Sequence, residues 1–417
     1  MHARMWSNGV EMNNWSLAKK VFFVKGKVNS CIYNFNTKKL FQLDNEASKC
    51  LEKIINNTGC YSEVDLIFLS ELEKMEIIEK KSSNCHSDLI YEPKIEFAWI
   101  EVTNKCNMYC IHCYEESSKL RDDELSIEDW YVVIDELVRK NIKKIQLIGG
   151  EPLLLGKKLL KMLDYCRTKF DFIEVFTNGY YINEEWGKYF QTNNIHIAIS
   201  VYSYSEMMHN KVTKIQDSHE KTNQGINILK NNEVKYRVCN VLMNDIELCE
   251  KNTNLYELST MRDVVRMTGR ANINLLNKEL LNKKLITLDM FKHEINEFFF
   301  VKSLKYHNCF SSKIYISAKL DVFPCVMERK ISHGNFNNDL KGNLDNLNSE
   351  IYEFNKDKIV ECKDCEFRYM CYDCRPNRIT EEINKKPWYC TYKPLEGVWE
   401  DEQEFCNKIL SIDLRNL

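Results

Sequence analysis

Three cysteines crowd one short stretch, "EVTNKCNMYCIHCYEES" (residues 101–117), at Cys106, Cys110 and Cys113. Thiolates are soft ligands suited to zinc and to iron–sulfur clusters. A structural zinc site closes with four ligands, so Cys-x3-Cys-x2-Cys leaves one position to fill. His112 is the nearest candidate, but it sits beside Cys113, where the backbone has little room to bring both side chains onto one ion. A cubane with one iron lacking a protein ligand fits the count better, and that vacancy lets a small molecule bind the cluster. More cysteines follow: Cys309 and Cys325, then "ECKDCEFRYMCYDCRP" with Cys362, Cys365, Cys371 and Cys374, then Cys390.

The chain has 18 cysteines in 417 residues. Its N-terminus, "MHARMWSNGVEMNNW", lacks the apolar core of a secretory signal, and no run of about 18 apolar residues exists to span a bilayer. A cytoplasmic protein is therefore expected, and in a reducing compartment clustered cysteines point to metal before disulfides. The scattered ones (Cys31, Cys50, Cys60, Cys85, Cys166, Cys239, Cys249, Cys406) read as small buried hydrophobes. A net charge of −3 gives no reason to expect nucleic acid or an anionic membrane as partner.

Residues 15–90 read as a small separate unit: strands and turns in "KKVFFVKGKVNSCIYNFNTKKLFQL", then two helices, the first opened by the half-signal of Asp44 before Ala47. The polar, Pro-containing "SSNCHSDLIYEPK" is a plausible linker. From residue 96 strand and helix alternate. "EFAWIEVT", "KKIQLIGG", "DFIEVFTNG", "IHIAISVYS" and "KYRVCNVLM" are predicted strands, with "DVVRMTGR" a last short one. Helices lie between, among them "SIEDWYVVIDELVRKNI", which Ser126 and Asp129 open as a capping box, and "LLLGKKLLKMLDYCRT". About six βα units imply an α/β fold with a parallel sheet and outer helices. Six are too few for the eight-stranded closed barrel, so the expectation is a partial (β/α)6 barrel over 95–300. An irregular, cysteine-rich segment over 301–400 and a tail over 401–417 follow, metal supplying cohesion there.

With its cysteine triplet in the loop after the first strand of such a series, the chain resembles the radical S-adenosylmethionine (SAM) superfamily. The resemblance implies that Cys106, Cys110 and Cys113 hold a [4Fe–4S] cluster, that SAM takes the open iron, and that His112 lies beside the adenine. "IGGEP" ends the next strand. Its glycines, Gly149 and Gly150, let backbone approach a ligand closely, and Glu151 offers a carboxylate that can accept from an ammonium group. On the resemblance this motif holds the methionine amino group. Asn178 and Ser200 end the following strands, where parallel sheets bind ligands; the Ser200 position contacts the methionine carboxylate in relatives. "MTGR" (Gly269, Arg270) resembles the last strand's adenine-side motif.

The later cysteines resemble the seven-cysteine SPASM domain, which carries two auxiliary [4Fe–4S] clusters, making three in all. Four thiols within "ECKDCEFRYMCYDCRP" could alternatively make one zinc ribbon. The usual spacing is Cys-x2-Cys-x5-Cys-x3-Cys, whereas here the last gap holds only Tyr372 and Asp373, and Leu320 stands where relatives carry glycine. The resemblance gives the outer cluster Cys362, Cys365, Cys371 and Cys390, and the inner cluster Cys309, Cys325 and Cys374. Three thiolates leave the inner cluster an open site that a substrate cysteine could fill, or that His307, Asp321 or water could occupy.

Together with "SVYSYSEMMHNKVT", these motifs look most like radical SAM/SPASM peptide maturases, including the grasp-with-spasm type. Their chemistry implies a 5′-deoxyadenosyl radical that abstracts hydrogen from a ribosomally synthesised peptide and a thioether closing from cysteine sulfur to carbon. Carbon–carbon crosslinking is a close variant. Formylglycine formation would want an aspartate directly after the second of these later cysteines, where Val326 stands. A zinc adaptor is the non-catalytic alternative. The implied partners are a precursor peptide, its leader captured by strand addition to a winged-helix-like N-terminal unit, and an external electron donor such as flavodoxin or ferredoxin.

Overall fold

The computed structural model describes residues 15–56, 62–80, 91, 94–121, 125–252, 259–380 and 382–411; Cys60, Cys85 and the ends of the proposed N-terminal and C-terminal segments lie outside them. In the N-terminal unit, β1 (Trp15–Leu17), β2 (Val21–Lys25), β3 (Ser30–Asn34) and β4 (Lys39–Leu43) precede α1 (Asn45–Ile55), α2 (Glu63–Lys74) and β5 (Ile78–Lys80). β2, β3 and β4 form an antiparallel meander, and β1 pairs with β5. Asp44 caps α1, its Oδ1 accepting from Ala47 N at 2.9 Å, the one N-cap bond that half a signal in sequence allows.

Side-chain alternation gives the meander two apolar faces. Val21, Ile32 and Leu43 pack on Leu51, Ile54, Leu69 and Leu72 of the two helices. Val24, Tyr33 and Phe35 pack instead on Phe300, Phe367, Tyr369 and Tyr392. The unit therefore sits on residues 281–300 and on the cysteine-rich segment that follows. Tyr33 Oη donates to Glu366 O at 2.6 Å, and Lys27 N to Asp364 O at 2.8 Å.

The alternating series runs β6 (Phe97–Thr103), α3 (Ile127–Arg139), β7 (Lys144–Gly149), α4 (Lys157–Cys166), β8 (Phe172–Thr177), α5 (Glu184–Thr192), β9 (His196–Ser200), α6 (Glu206–Thr213), α7 (Ser218–Asn231), β10 (Tyr236–Leu242) and β11 (Ser259–Val264). The six strands are parallel in sequential order, as the partial barrel requires. Ser126 and Asp129 make both halves of the capping box of α3. Alternate residues Ile100 and Val102, Ile145 and Leu147, Ile197 and Ile199 face outward into one core with Trp130, Leu159 and Phe190 of the helices.

Four boundaries move. A 3-10 turn over Pro152–Leu155 and Gly156 precede α4, so "LLLG" is not helical in the α sense. α6 was not anticipated. β11 ends at Val264, leaving "MTGR" in the turn beyond it. The barrel also continues past residue 300. After α8 (Lys278–Asn282) and α9 (Glu297–Lys305), β12 (Lys313–Ile316) pairs parallel with β6, and β13 (Asp321–Phe323) and β14 (Gly334–Asn335) extend a nine-stranded sheet. β6 is buried on both faces, and "KIYI" supplies the partner its open edge needs. The remainder holds α10 (Ser349–Tyr352), the hairpin β15 (Tyr392–Lys393) with β16 (Val398–Trp399), and α11 (Glu402–Ser411). Among the described residues no helix is long and apolar enough to cross a membrane.

Candidate functional site

Cys106, Cys110 and Cys113 occupy the loop that leaves the C-terminal end of β6, where parallel strands present ligands. Cys106 and Cys110 are buried and Cys113 is half-buried. Four segments hold this loop, one of them the end of α6, where Tyr109 N donates to Thr213 O at 2.9 Å and Ile111 N to Val212 O at 3.1 Å. Gly150 N donates to Thr103 O and Glu151 N to Lys105 O, each at 2.8 Å. A Cβ on Gly149 would stand 2.1 Å from Thr103 O, and one on Gly150 2.1 Å from Lys105 O. The glycines thus admit the cysteine loop's own backbone, where sequence alone suggested a ligand.

Arg270 grips the other side. Its Nε donates to Cys110 O at 2.9 Å and its Nη1 to Ser117 O at 3.1 Å, while its guanidinium lies 4.0 Å over the Tyr109 ring. Gly269 has φ +57°, and a Cβ there would meet Cys113 O at 2.4 Å. A further support is Asn178, whose Nδ2 donates to Asn107 Oδ1 at 2.8 Å and lies 3.9 Å from Cys106 Sγ.

Glu151 is fully buried. Its Oε1 accepts from Leu153 N at 3.0 Å and Thr177 Oγ1 at 2.7 Å, and its Oε2 from Asn178 N at 2.8 Å. Burial pushes this carboxyl up to about 7, against the pull of those donors. Most of its accepting capacity therefore ties the β7 loop to the β8 loop, leaving about one lone-pair site for an ammonium group. His112 packs edge-on to Tyr202 with ring centroids 4.7 Å apart. Tyr202 in turn bonds Ser200, and its hydroxyl lies 3.9 Å from Cys110 Sγ.

The residues fit an iron–sulfur cluster and SAM. Nδ1 of His112 and Nη2 of Arg270 are buried beside the loop with no hydrogen-bond partner. Burial holds the Cys110 thiol up at about 12, so it gives up its proton to a metal and not to water.

The later cysteines separate into two groups. Cys362, Cys365, Cys371 and Cys390 line one cavity, with Phe367 and Trp399 among its walls. Cys325 and Cys374 lie close enough to Cys309 to add their charge to burial in raising its pKa. Between the groups lies a charge knot that sequence reading missed. Asp373 is fully buried, its Oδ1 taken by His307 Nε2 at 2.9 Å and by Lys356, and its Oδ2 by Arg375 Nε at 2.5 Å. Lys356 Nζ reaches Cys371 Sγ at 3.6 Å, and His307 Nδ1 stands 3.3 Å from Cys309 Sγ. Asp321, by contrast, is bonded to Asn335 at 3.1 Å. Leu320 has φ +66°, which explains the glycine of relatives; the left-handed backbone costs about 1–2 kcal/mol, offset by burial of its side chain.

The barrel interior is polar in places the sequence did not flag. Arg237 forks onto Glu174 with two bonds of 2.8 Å. Glu101 is pushed up by burial and then by Glu115, which pairs with Arg329. A cavity of about 830 Å³ opens between the Met267–Asn274 turn, the Met327–Lys330 loop after Cys325 and the Pro376–Ile379 loop after Cys374. Its lining includes Gly269, which packs against Cys113 O, and Met327 and Pro376, each two residues beyond a cysteine of the inner group.

Residues 100–247 match the family model described as the Radical SAM superfamily. Over 174 residues the chain is 29% identical to the antilisterial bacteriocin subtilosin biosynthesis protein AlbA of Bacillus subtilis (strain 168), covering 41% of this chain and 37% of that protein. It is 32% identical over 103 residues to the sporulation killing factor maturation protein SkfB of the same organism, covering 24% of this chain and 25% of that one. The matched stretches are thus well under two thirds of those relatives' lengths. The fold is similar to that of SuiB of Streptococcus suis bound to S-adenosylmethionine, with a TM-score of 0.53 and 14% identity over 87% of this chain and 96% of that one. It is also similar to native anSMEcpe with bound AdoMet, with a TM-score of 0.52 and 17% identity over 77% and 99%.

Proposed function

We propose, from the premise that residues 100–247 form a radical SAM domain, that this chain is a maturase of a ribosomally synthesised peptide and closes a thioether from cysteine sulfur to carbon. The observation that carries the reading is the triplet Cys106, Cys110 and Cys113, clamped at the open end of a parallel half-barrel by Gly150 and Arg270. AlbA is a bacteriocin subtilosin biosynthesis protein and SkfB a sporulation killing factor maturation protein, which supports a maturase reading.

On this reading the triplet holds the SAM-binding [4Fe–4S] cluster, Cys309, Cys325 and Cys374 the inner auxiliary cluster, and Cys362, Cys365, Cys371 and Cys390 the outer one. When bound, these groups supply one-electron cleavage of SAM, hydrogen abstraction by the resulting 5′-deoxyadenosyl radical, and uptake of the electron released as the C–S bond closes. The chain's own residues do the rest. Gly149, Gly150 and Glu151 set the height of the cysteine loop, and His112 with Tyr202 walls the adenine side. Asn178 and Ser200 offer polar groups to the amino-acid end of SAM.

The peptide enters through the cavity bordered by Gly269, Met327 and Pro376. Its leader adds to β4, the edge strand of the meander, which is exposed at Lys39 and Gln42. An external flavodoxin or ferredoxin reduces the clusters. Carbon–carbon crosslinking shares every one of these requirements except the cysteine.

The test is anaerobic incubation of the protein with SAM, a low-potential reductant and a cysteine-containing precursor encoded beside its gene. A peptide lighter by two hydrogens, with the linked cysteine no longer alkylated, is the expected product. SAM cleavage without any change in peptide mass would overturn the maturase assignment; exchange of sulfur for oxygen together with loss of two hydrogens would replace it with formylglycine formation.

A further inference from the structure

We propose that Arg266 sets the reduction potential of the inner cluster by donating from its guanidinium to Cys374 Sγ, a proposal that rests on the cluster assignment made above. Arg266 lies just past the end of β11, on the barrel wall, 108 residues before Cys374. Its Nη1 reaches Cys374 Sγ at 3.6 Å. Its Nη2 donates to Asp263 Oδ2 at 2.5 Å. One arm of the planar fork is thus fixed on the barrel, and the other is turned to a sulfur of the inner group.

The placement is built from both sides. Asp263 is held by Val264 N, which donates to its Oδ1 at 2.8 Å, and by Lys284. Val265 N donates to Leu242 O at 3.1 Å and fixes the chain beyond the strand. Met267 N donates to Asn377 Oδ1 at 3.0 Å, and Trp388 Nε1 to Asn377 O at 3.0 Å. On the cysteine side, Cys374 N donates to Tyr389 Oη at 2.7 Å. Barrel wall and cysteine loop are therefore joined beside the contact between Arg266 and Cys374.

Charge shows that the guanidinium does more than neutralise Asp263. Lys284 already pairs with that carboxylate, so Arg266 and Lys284 together leave one positive charge in surplus. Arginine does not give that charge up, because its guanidinium stays protonated in proteins. The surplus lies against Cys374, and the charge of Cys325, from the same inner group, reaches Arg266 as well. The outer group has a cation of its own, Lys356, whose Nζ is 3.6 Å from Cys371 Sγ.

A cluster that takes up one electron gains one negative charge, shared with its sulfurs. A fixed cation and an N–H donor at a ligand sulfur stabilise that reduced form, since net charge and hydrogen bonds to sulfur set cluster potentials. Charge-assisted donors are the strong ones. Arg266 therefore favours uptake of the electron released as the C–S bond closes. It is a positioning residue, acting through Cys374.

The test uses the full chain with Cys106→Ala, Cys110→Ala and Cys113→Ala, so that only the auxiliary centres titrate. The protein is loaded anaerobically with iron and sulfide and reduced stepwise with dithionite through redox mediators. Midpoints are read from the electron paramagnetic resonance of the reduced centres. Arg266→Met, which removes charge and donor, is expected to lower one of the two midpoints while keeping about eight iron atoms per chain. The expected fall is at least about tenfold in the reduction equilibrium, or about 59 mV for one electron. The other midpoint stays in place. Arg266→Lys, which keeps the charge, is expected to restore at least half of the fall, a rescue that a packing role would not give. Where Arg266→Met loses iron, Arg266→Gln, which keeps an N–H donor without the charge, is judged by the same criteria. Full iron with both midpoints unchanged overturns the proposal, as does an equal fall in Arg266→Lys. Loss of iron from Arg266→Met and Arg266→Gln alike also overturns it, because Arg266 would then hold the loop together and not tune it. Fewer than two cubanes in the parent chain would overturn the cluster assignment beneath it, a distinct result.

Discussion

Gly150→Ala isolates what the loop after β7 does for the first cysteine triplet. Gly150 is not in the left-handed region, so alanine meets no backbone strain and the effect is purely one of space. The new Cβ would lie 2.1 Å from Lys105 O and 2.5 Å from Lys105 C. Both are backbone atoms that no rotamer change can move. Carbon and oxygen need about 3.0 Å or more, so the two segments must part by about 1 Å. That parting strains the bonds Gly150 N to Thr103 O and Glu151 N to Lys105 O, each 2.8 Å. Overpacking costs about 1–3 kcal/mol, and each weakened backbone bond about 0.5–1.5 kcal/mol, for a local cost of about 2–6 kcal/mol. Cys106 is the next residue after Lys105, and a displacement of about 1 Å exceeds the roughly 0.5 Å tolerance of a preorganised site. The expected protein folds, because the main core lies on the opposite, helix-facing side of the sheet. Iron falls from about twelve toward about eight atoms per chain on the three-cluster reading, and SAM-dependent 5′-deoxyadenosine formation falls at least about tenfold. Anaerobic iron analysis and chromatography of the nucleoside check both. Full iron with unchanged nucleoside formation would refute the claim that this glycine sets the height of the cysteine loop.

Arg270→Lys keeps a charge and can reach one of the two acceptors but loses the fork onto Cys110 O and Ser117 O; loss of one charge-assisted bond of about 1.5–3 kcal/mol predicts a roughly tenfold to hundredfold slower single-turnover cleavage of SAM. Glu151 gives a pH dependence. Its carboxyl keeps its proton up to about 7 in the fold but only to about 4.5 when unfolded, so stability falls as pH rises from about 4.5 to about 7, by about 3 kcal/mol at most. Denaturant midpoints of cluster-free protein should show that slope, and Glu151→Gln should flatten it. Tyr33→Phe removes a buried 2.6 Å bond to Glu366 O and should cost about 1–2 kcal/mol, seen as faster proteolysis of the N-terminal unit. Deleting residues 1–90 should uncover Phe300, Phe367 and Tyr369, so iron in the outer site is expected to drop along with precursor binding.

Periodicity carried the half-barrel. Each strand from β6 to β10 alternates or runs apolar within its short length, and Ser126 with Asp129 marks the start of α3 through side chains three residues apart. Such signals are local, and a local signal survives in the sequence. β12 was not legible, because "KIYI" declares itself only through the unpaired edge of β6, more than 200 residues earlier. α6 was missed because its polar sequence, Glu206–Thr213, is helical under tertiary packing and not by pattern. The docking of the meander on the cysteine-rich segment was also hidden: alternation announces two apolar faces but not what covers the second.

Cysteine spacing by itself marked the triplet Cys106, Cys110 and Cys113 and the soft-metal chemistry it suits; the division of the later seven cysteines into two groups was what the resemblance implied. The resemblance also marked the anomalies, Leu320 and the shortened gap before Cys374. Only the tertiary structure decided what those anomalies accomplish. It showed that Gly149 and Gly150 yield to backbone, that Glu151 serves its neighbours, that Arg270 holds the cysteine loop from outside, and that His307 and Asp373 converge on the inner group. Each of these is a contact between residues far apart in sequence. Its energy comes from burial and from hydrogen bonds that exist only once the sheet has brought the partners together.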